Sequence, residues 1–169
     1  MQSHRHPIKM RRVTNRNGTS PPTLDDVSKR IIEQLQLDGR MSYAAIGKAV
    51  GLSEAAVRQR VQRLIDNGVM QIVAVTDPLQ LGFARQAMIG IRTEGDLEPI
   101  ASQLAAMTEV DYVIMTAGSF DLLVEAVCES DSHLLELLSK RIRSIDGVRS
   151  TESFVYLKLY KQTYSWGVR

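Results

Sequence analysis

The sequence predicts an α+β chain with two folded parts, a helix-turn-helix domain and then a ferredoxin-like βαββαβ unit. Three observations carry this reading. Apolar residues recur at helical spacing three times between residues 24 and 68, with breaks at Asp38-Gly39, Gly51 and Asn67-Gly68. From residue 83 on, alternating and helical patterns follow one another as strand, helix, strand, strand, helix, strand. The charge also changes sign: residues 1–68 hold 12 Lys/Arg against 6 Asp/Glu, and residues 69–169 hold 9 against 13. A basic front half is the electrostatic footprint of a protein that meets a polyanion, although an uneven solvated surface gives the same count.

Composition excludes several classes. With 169 residues, 44% hydrophobic and 24% charged, the chain has the makeup of a globular protein of one or two small domains. Aromatics are only 5%, so the core has to be aliphatic. The single cysteine, Cys128, excludes an internal disulfide framework and a multi-cysteine metal site. No apolar run approaches the ~20 residues that span a bilayer. No apolar stretch follows the first basic residues, so no secretory signal and no membrane are expected, and the expected compartment is the cytoplasm.

Residues 1–22 contain Arg5, Lys9, Arg11, Arg12 and Arg16 without an acid and read as a disordered basic arm. Residues 23–68 read as the helix-turn-helix domain. Thr23 with Asp26 resembles a capping box, opening a first helix from Leu24 to Leu37 on Val27, Ile31 and Leu35. Ser42 caps a second helix that Gly51 breaks, and Ser53 caps a third that ends at Asn67-Gly68. On a helical wheel, Val57, Val61 and Leu64 cluster toward the first helix. Ala55, Gln59 and Gln62 point the other way, flanked by Arg58 and Arg63, with Ser53 and Glu54 at the helix start. Amides and guanidiniums are the groups that read adenine and guanine edges, which makes these seven the candidate DNA contacts. A solvated helix face is the other reading. Arg60 lies nearer the core edge and is expected to pair with a phosphate or an acid of the domain.

Residues 69–82 read as a hinge strand, Met70 to Val75, and a linker stopped by Asp77-Pro78. In residues 83–160 the expected elements are a strand over 84–93 and a helix from Leu97 with Pro99 in its first turn. Strands from Val110 to Thr116 and from Asp121 to Val127 follow. A helix capped by Asp131 or Ser132 and running to Asp146-Gly147 comes next, and a long last strand from Val148 to Tyr160 closes the unit. Two helices cover one face of such a sheet. The other face calls for a second copy of the chain, hence a homodimer. Residues 161–169 read as a tail, whose Tyr164 and Trp166 are candidates to pack on a neighbour.

This order of motifs resembles the leucine-responsive/asparagine regulator (Lrp/AsnC) family of prokaryotic transcription factors. The matching residues are Leu35-Gln36-Leu37-Asp38-Gly39-Arg40, Gly51-Leu52-Ser53 with Val57, Arg60-Val61 and Arg63-Leu64, then Gly68-Val69, Asp77-Pro78 and Leu81-Gly82. Gly118-Ser119-Phe120-Asp121-Leu122-Leu123 is similar to the family's Gly-x-x-Asp effector loop. Ser28 stands where the family often has Asp, and Phe120 where many members have Tyr. The resemblance implies a winged-type helix-turn-helix, a RAM domain that dimerises, assembly of dimers to octamers or other higher forms, and a small amino acid bound between dimers. The expected function is sequence-specific transcription regulation on double-stranded DNA, with no cofactor and no catalysis.

The loop has a chemical reading of its own. Gly118 lets backbone approach a ligand and is expected to need positive φ. Asp121 is placed to pair with an α-ammonium, and free N–H groups to receive an α-carboxylate. A hairpin glycine and a turn acid are the alternative. Thr116, Phe120, Thr151 and Ser153 complete the candidate effector set. Competing classes fare worse. An acylphosphatase-like catalyst wants an Arg/Asn pair, and no Asn occurs after residue 68. RNA binding through the sheet wants exposed aromatics on central strands, and residues 84–92 have none. An amino-acid-sensing module acting on an enzyme partner remains the alternative. His4 and His6, two apart in the arm, are spaced for adventitious metal binding only, His133 reads as a surface residue, and no metal site is expected.

Overall fold

A computed structural model describes residues 24–163 and 167–168 of the chain. The basic arm, Thr23, Tyr164 and Trp166 lie outside the described residues. The chain divides into two compact units, with a break between Ala74 and Val75 and the second unit ending at Tyr160.

The first unit holds α1 (Asp26–Leu37), α2 (Tyr43–Val50) and α3 (Glu54–Asp66). Asp25, rather than Thr23, caps α1, accepting from the Ser28 N–H at 2.8 Å. Ile31, Ile46, Val50, Val57 and Val61 form the core. Two glycines shape the turn of the motif. Gly51 stands at φ +79, the left-handed cap conformation, and a Cβ at Gly47 would lie 2.5 Å from the Leu52 carbonyl oxygen. Among the described residues no strand pair follows α3, so the helix-turn-helix has no wing. Residues 70–75 are not a strand either. Among the described residues no second strand pairs with their backbone, and Ile72, Val73 and Val75 are exposed.

The second unit is a four-stranded antiparallel sheet in the order β2-β3-β1-β4. The strands are β1 (Arg85–Thr93), β2 (Val110–Met115), β3 (Leu122–Cys128) and β4 (Val148–Val155). α4 (Leu97–Ala105) and α5 (Asp131–Glu136) lie on one face, where Ile100, Leu104 and Leu134 pack on Ile89, Ile91, Leu122 and Val124. Alternation along the strands puts Met88, Gly90 and Arg92, Leu123 and Glu125, Tyr112 and Ile114, and Glu152 and Phe154 on the other face.

Three expectations need correction. Ser130, not Asp131 or Ser132, caps α5, accepting from the His133 N–H at 3.1 Å. The α-helix stops at Glu136 and continues as a π-turn over Leu137–Ile142. Leu137 and Ile142 are both fully buried although five residues apart, a separation of about 140° on an α-helix. The wider turn brings both to the sheet. Finally, β4 ends at Val155, because β1 begins only at Arg85. The last bond is the Tyr156 N–H to the Gln86 carbonyl at 2.8 Å, and Leu157 beyond it is 95% exposed.

Glu109, just before β2, ties the helical layer to the sheet edge. Its Oε1 accepts from Arg141 at 2.5 Å and lies 3.2 Å from His133 Nε2. Burial alone would raise its pKa, but its own backbone N–H, His133 and Arg141 outweigh that and hold it at about 2. A carboxylate depressed in the folded state contributes stability above its ordinary pKa and loses it as pH falls toward the folded value. Glu109→Gln should therefore lower the urea midpoint most near neutral pH, and the gap to the parent should close between pH 4.5 and 2. A gap of constant size down to pH 2 would refute the ionic role.

Candidate functional site

α3 is built to present one face. Ser53 caps it, its hydroxyl oxygen accepting from the Ala56 N–H at 3.2 Å. Val57, Val61 and Leu64 are buried, as the wheel expects. Ala55, Arg58, Gln59, Gln62 and Arg63 line one shallow depression together with Ala56, which sequence reading missed. Glu54 stands at the rim as the partner of Arg58, which donates to its Oε1 at 2.7 Å. The Arg58 guanidinium also lies over the Tyr43 ring, 5.2 Å from the centroid. Gln62 donates to Asp66 at 2.9 Å. Gln59 and Arg63 have no hydrogen-bond or ion-pair partner among the described residues.

Arg60 points back into its own unit. Its Nη1 donates to Asp25 Oδ2 at 2.6 Å and to Ser28 Oγ at 3.2 Å. Hydrogen bonds from Ser28 and from Arg60 hold the Asp25 carboxyl at about 2. The acid expected for Arg60 is thus the cap of α1, and Ser28 is its second anchor.

The loop between β2 and β3 is pinned at both ends. The Thr116 hydroxyl donates to the Phe120 carbonyl, and the Thr116 N–H to the Asp121 carbonyl at 2.9 Å. The Asp121 N–H donates to the Ile91 carbonyl at 2.9 Å. Asp121 Oδ2 accepts from the Thr93 N–H at 2.7 Å and from the Thr93 hydroxyl at 3.3 Å. One carboxylate oxygen therefore ties β3 to the end of β1, and only the other is left for a ligand. The N–H groups of Ala117, Gly118 and Ser119 have no acceptor among the described residues.

Several expectations change here. Gly118 has no positive φ, and a Cβ there meets nothing within 4 Å. The Phe120 ring lies against Gly90 on the helix-free face of the sheet, under the Arg92 guanidinium at 4.7 Å and edge-on to Phe154 at 6.2 Å. Arg92 Nε donates to the Ser119 carbonyl at 2.9 Å. Thr151 and Ser153 are opposite Ile91 and Ile89, so they share the helix-covered side, and Thr151 accepts from Arg143 at 2.9 Å. They are two strands from β3, ~10 Å away. Four of the six candidate effector residues thus belong to the β2–β3 loop, with the Phe120 ring on the helix-free face, while Thr151 and Ser153 lie apart on β4. Gly90, Arg92, Thr93 and Phe154 were missed. The readable signal was a lone glycine inside a central strand, which marks a close approach.

A Cβ at Gly90 would sit 2.7 Å from the Phe120 ring, on the Cγ side that cannot swing away alone. Gly90→Ala should therefore cost about 1–3 kcal/mol, in the range of an overpacked site. Gly118→Ala should leave the melting temperature unchanged or raise it, because its φ suits alanine. Thermal melts of the two variants check this, and equal effects would remove the distinction.

Residues 24–65 match the AsnC-type helix-turn-helix domain, and residues 83–169 match an AsnC-type regulator domain described as a C-terminal dimeric alpha+beta barrel. The HTH-type transcriptional regulator FL11 of Pyrococcus furiosus is 35% identical over 142 residues, covering 83% of this chain and 93% of that protein. The structure of AsnC from E. coli superposes with a TM-score of 0.74 at 26% identity, covering 84% of this chain and 97% of the other. The leucine response regulatory protein of Mycobacterium tuberculosis gives 0.77 at 28%, covering 86% and 100%. Both halves of the chain and their order agree, and the chain belongs to the Lrp/AsnC family of transcription regulators.

Proposed function

We propose that this chain is a sequence-specific transcription regulator. It binds double-stranded DNA through α3, and its assembly and DNA binding respond to a small amino acid at a subunit interface. The observation that carries the DNA part is the outer face of α3, where Gln59 and Arg63 stand unpaired among the described residues beside Arg58 and Gln62. Ser53 and Glu54 begin that face. The name of FL11 as a transcriptional regulator supports it. A homodimer is supported by the description of the matching C-terminal domain as dimeric and by the helix-free sheet face, where Tyr112 and Phe154 are about half exposed. Dimers then assemble to octamers or another higher form. The amino-acid part rests on the three free N–H groups of residues 117–119 beside Asp121. One group receives a carboxylate, and the other faces an ammonium. The relative named for a leucine response supports the class of ligand.

Duplexes selected from a random pool by the full chain give the test. Gln59→Ala should lose ~1–3 kcal/mol of discrimination at one base position. Arg63→Ala should weaken all duplexes alike and flatten the salt dependence by about one charge. Selection without enrichment, or variants that behave as the parent does, would defeat the assignment of α3.

A thermal-shift screen with the twenty amino acids identifies a ligand by its stabilisation. Calorimetry and light scattering then follow its binding and assembly. Asp121→Ala should bind the identified amino acid at least tenfold more weakly, an order set by losing a charge-assisted bond, while the mass stays at two chains or more. Unchanged affinity would move the site away from this loop, and a single-chain mass would remove the dimer.

A further inference from the structure

The two arginines on the outer face of α3 differ in their surroundings. Arg63 has no partner among the described residues. Arg58 is held on two sides, by Glu54 at 2.7 Å within its own helix and by the Tyr43 ring at 5.2 Å. Tyr43 belongs to α2, the other helix of the motif, and its ring packs partly buried against the core of Ile31, Ile46 and Val57. The ring is therefore a fixed platform. The Ser42 cap immediately before it, which accepts from the Ala45 N–H at 3.2 Å, fixes the helix start from which it projects.

We propose that Tyr43 is a specificity-determining positioning residue, which aims the Arg58 guanidinium at a guanine edge in the DNA major groove. This rests on the reading that α3 binds DNA. A guanidinium has five N–H donors in a rigid fork, and Glu54 takes one of them. Stacking on a ring fixes the plane of the fork, and the Arg58 side chain stays 64% exposed, which leaves its remaining donors open to a ligand. A base that offers two adjacent acceptors, the N7 and O6 of guanine, fits that edge. The Glu54 carboxylate adds selection against the alternative target. It offsets part of the charge of Arg58, which weakens the attraction of the pair for a phosphate and favours a target that meets the hydrogen-bond geometry. Arg63, unpaired among the described residues and without a platform, suits the backbone. An arginine already ordered in the free protein also avoids the entropy cost of being ordered on binding.

The test compares duplexes selected from a random pool by the full chain and by Tyr43→Phe, Tyr43→Leu and Arg58→Ala. The parent and Tyr43→Phe should prefer guanine at one position of each half-site. Tyr43→Leu keeps an apolar group against the core but removes the π-face. It should lose on the order of tenfold in that preference, the size of one bidentate contact, with the other positions and the salt dependence unchanged. Glu54→Gln is an independent check. It should raise affinity for all duplexes, steepen the salt dependence and weaken the guanine preference. Preference lost in Arg58→Ala but kept in Tyr43→Leu would overturn the role of Tyr43. So would a Tyr43→Leu protein that loses all positions together, which is the mark of a merely structural residue. If the parent enriches nothing, the DNA reading of α3 falls and this inference falls with it. If the parent enriches a site and only the tyrosine variants behave as the parent does, the inference alone is wrong.

Discussion

β1 is hydrogen-bonded on both edges, to β3 over seven residue pairs and to β4 over another seven. It is one of the two central strands of the second unit, beside β3, and carries residues on both the helix-covered and the helix-free face. Ile89 and Ile91 anchor the helical layer, and Gly90 between them faces the other way. A glycine at that place weakens a strand by itself, since it has no side chain to pack and loses more entropy on folding. The Phe120 ring covers it, and the ring fits because no Cβ is there. The conformation of the loop before β3 is thus set by an absence in β1. Arg92, two residues on, closes the arrangement by stacking on the same ring and binding the Ser119 carbonyl.

In the first unit the corresponding constraint is polar. Arg60 of α3 reaches the cap of α1 and thereby links the first and last helices of the unit. Its bonds are partly exposed, so screening limits their worth to that of an ordinary surface ion pair. Their effect is chiefly geometric. With Arg60 turned inward and Val57, Val61 and Leu64 buried, the outer face of α3 is left to Ala55, Arg58, Gln59, Gln62 and Arg63.

What the sequence made legible was local. The caps Ser42 and Ser53, the stop at Gly51 and the apolar period of α3 depend on neighbours a few residues away, and the outer face could be named from them. The sequence of strands and helices and the two-sided sheet followed from alternation and element order. What stayed hidden depends on contacts distant in sequence. The end of β4 is set by where β1 begins, not by anything in residues 156–160. The π-turn has the same apolar residues as an α-helix would, and only the demand to bury both Leu137 and Ile142 reveals it. The run at 70–75 has strand composition, yet a strand is a pairing, and no partner strand exists among the described residues. In the loop, residue types identified Asp121 as important, but not that one of its oxygens is already committed to Thr93.

These facts bear on how an amino acid at the loop would change assembly. A ligand shifts an equilibrium only by the difference in its affinity for the two states. The N–H groups of residues 117–119 and the ring of Phe120 belong to one short segment, pinned at Thr116 and Asp121. The N–H groups are where a carboxylate would be received, and the ring lies on the helix-free face proposed to meet a second copy of the chain. Between its pins the loop cannot move its N–H groups far without moving the ring over Gly90, because the Arg92 bond to Ser119 and the Arg92 stack on Phe120 fasten both to one guanidinium. A loop position preferred by the ligand is therefore also a preferred position of Phe120 on the sheet face. Under the proposed reading, that shared segment is the route by which binding at the loop would acquire different affinities for differently assembled forms, with no contact between the ligand and the partner's sheet required.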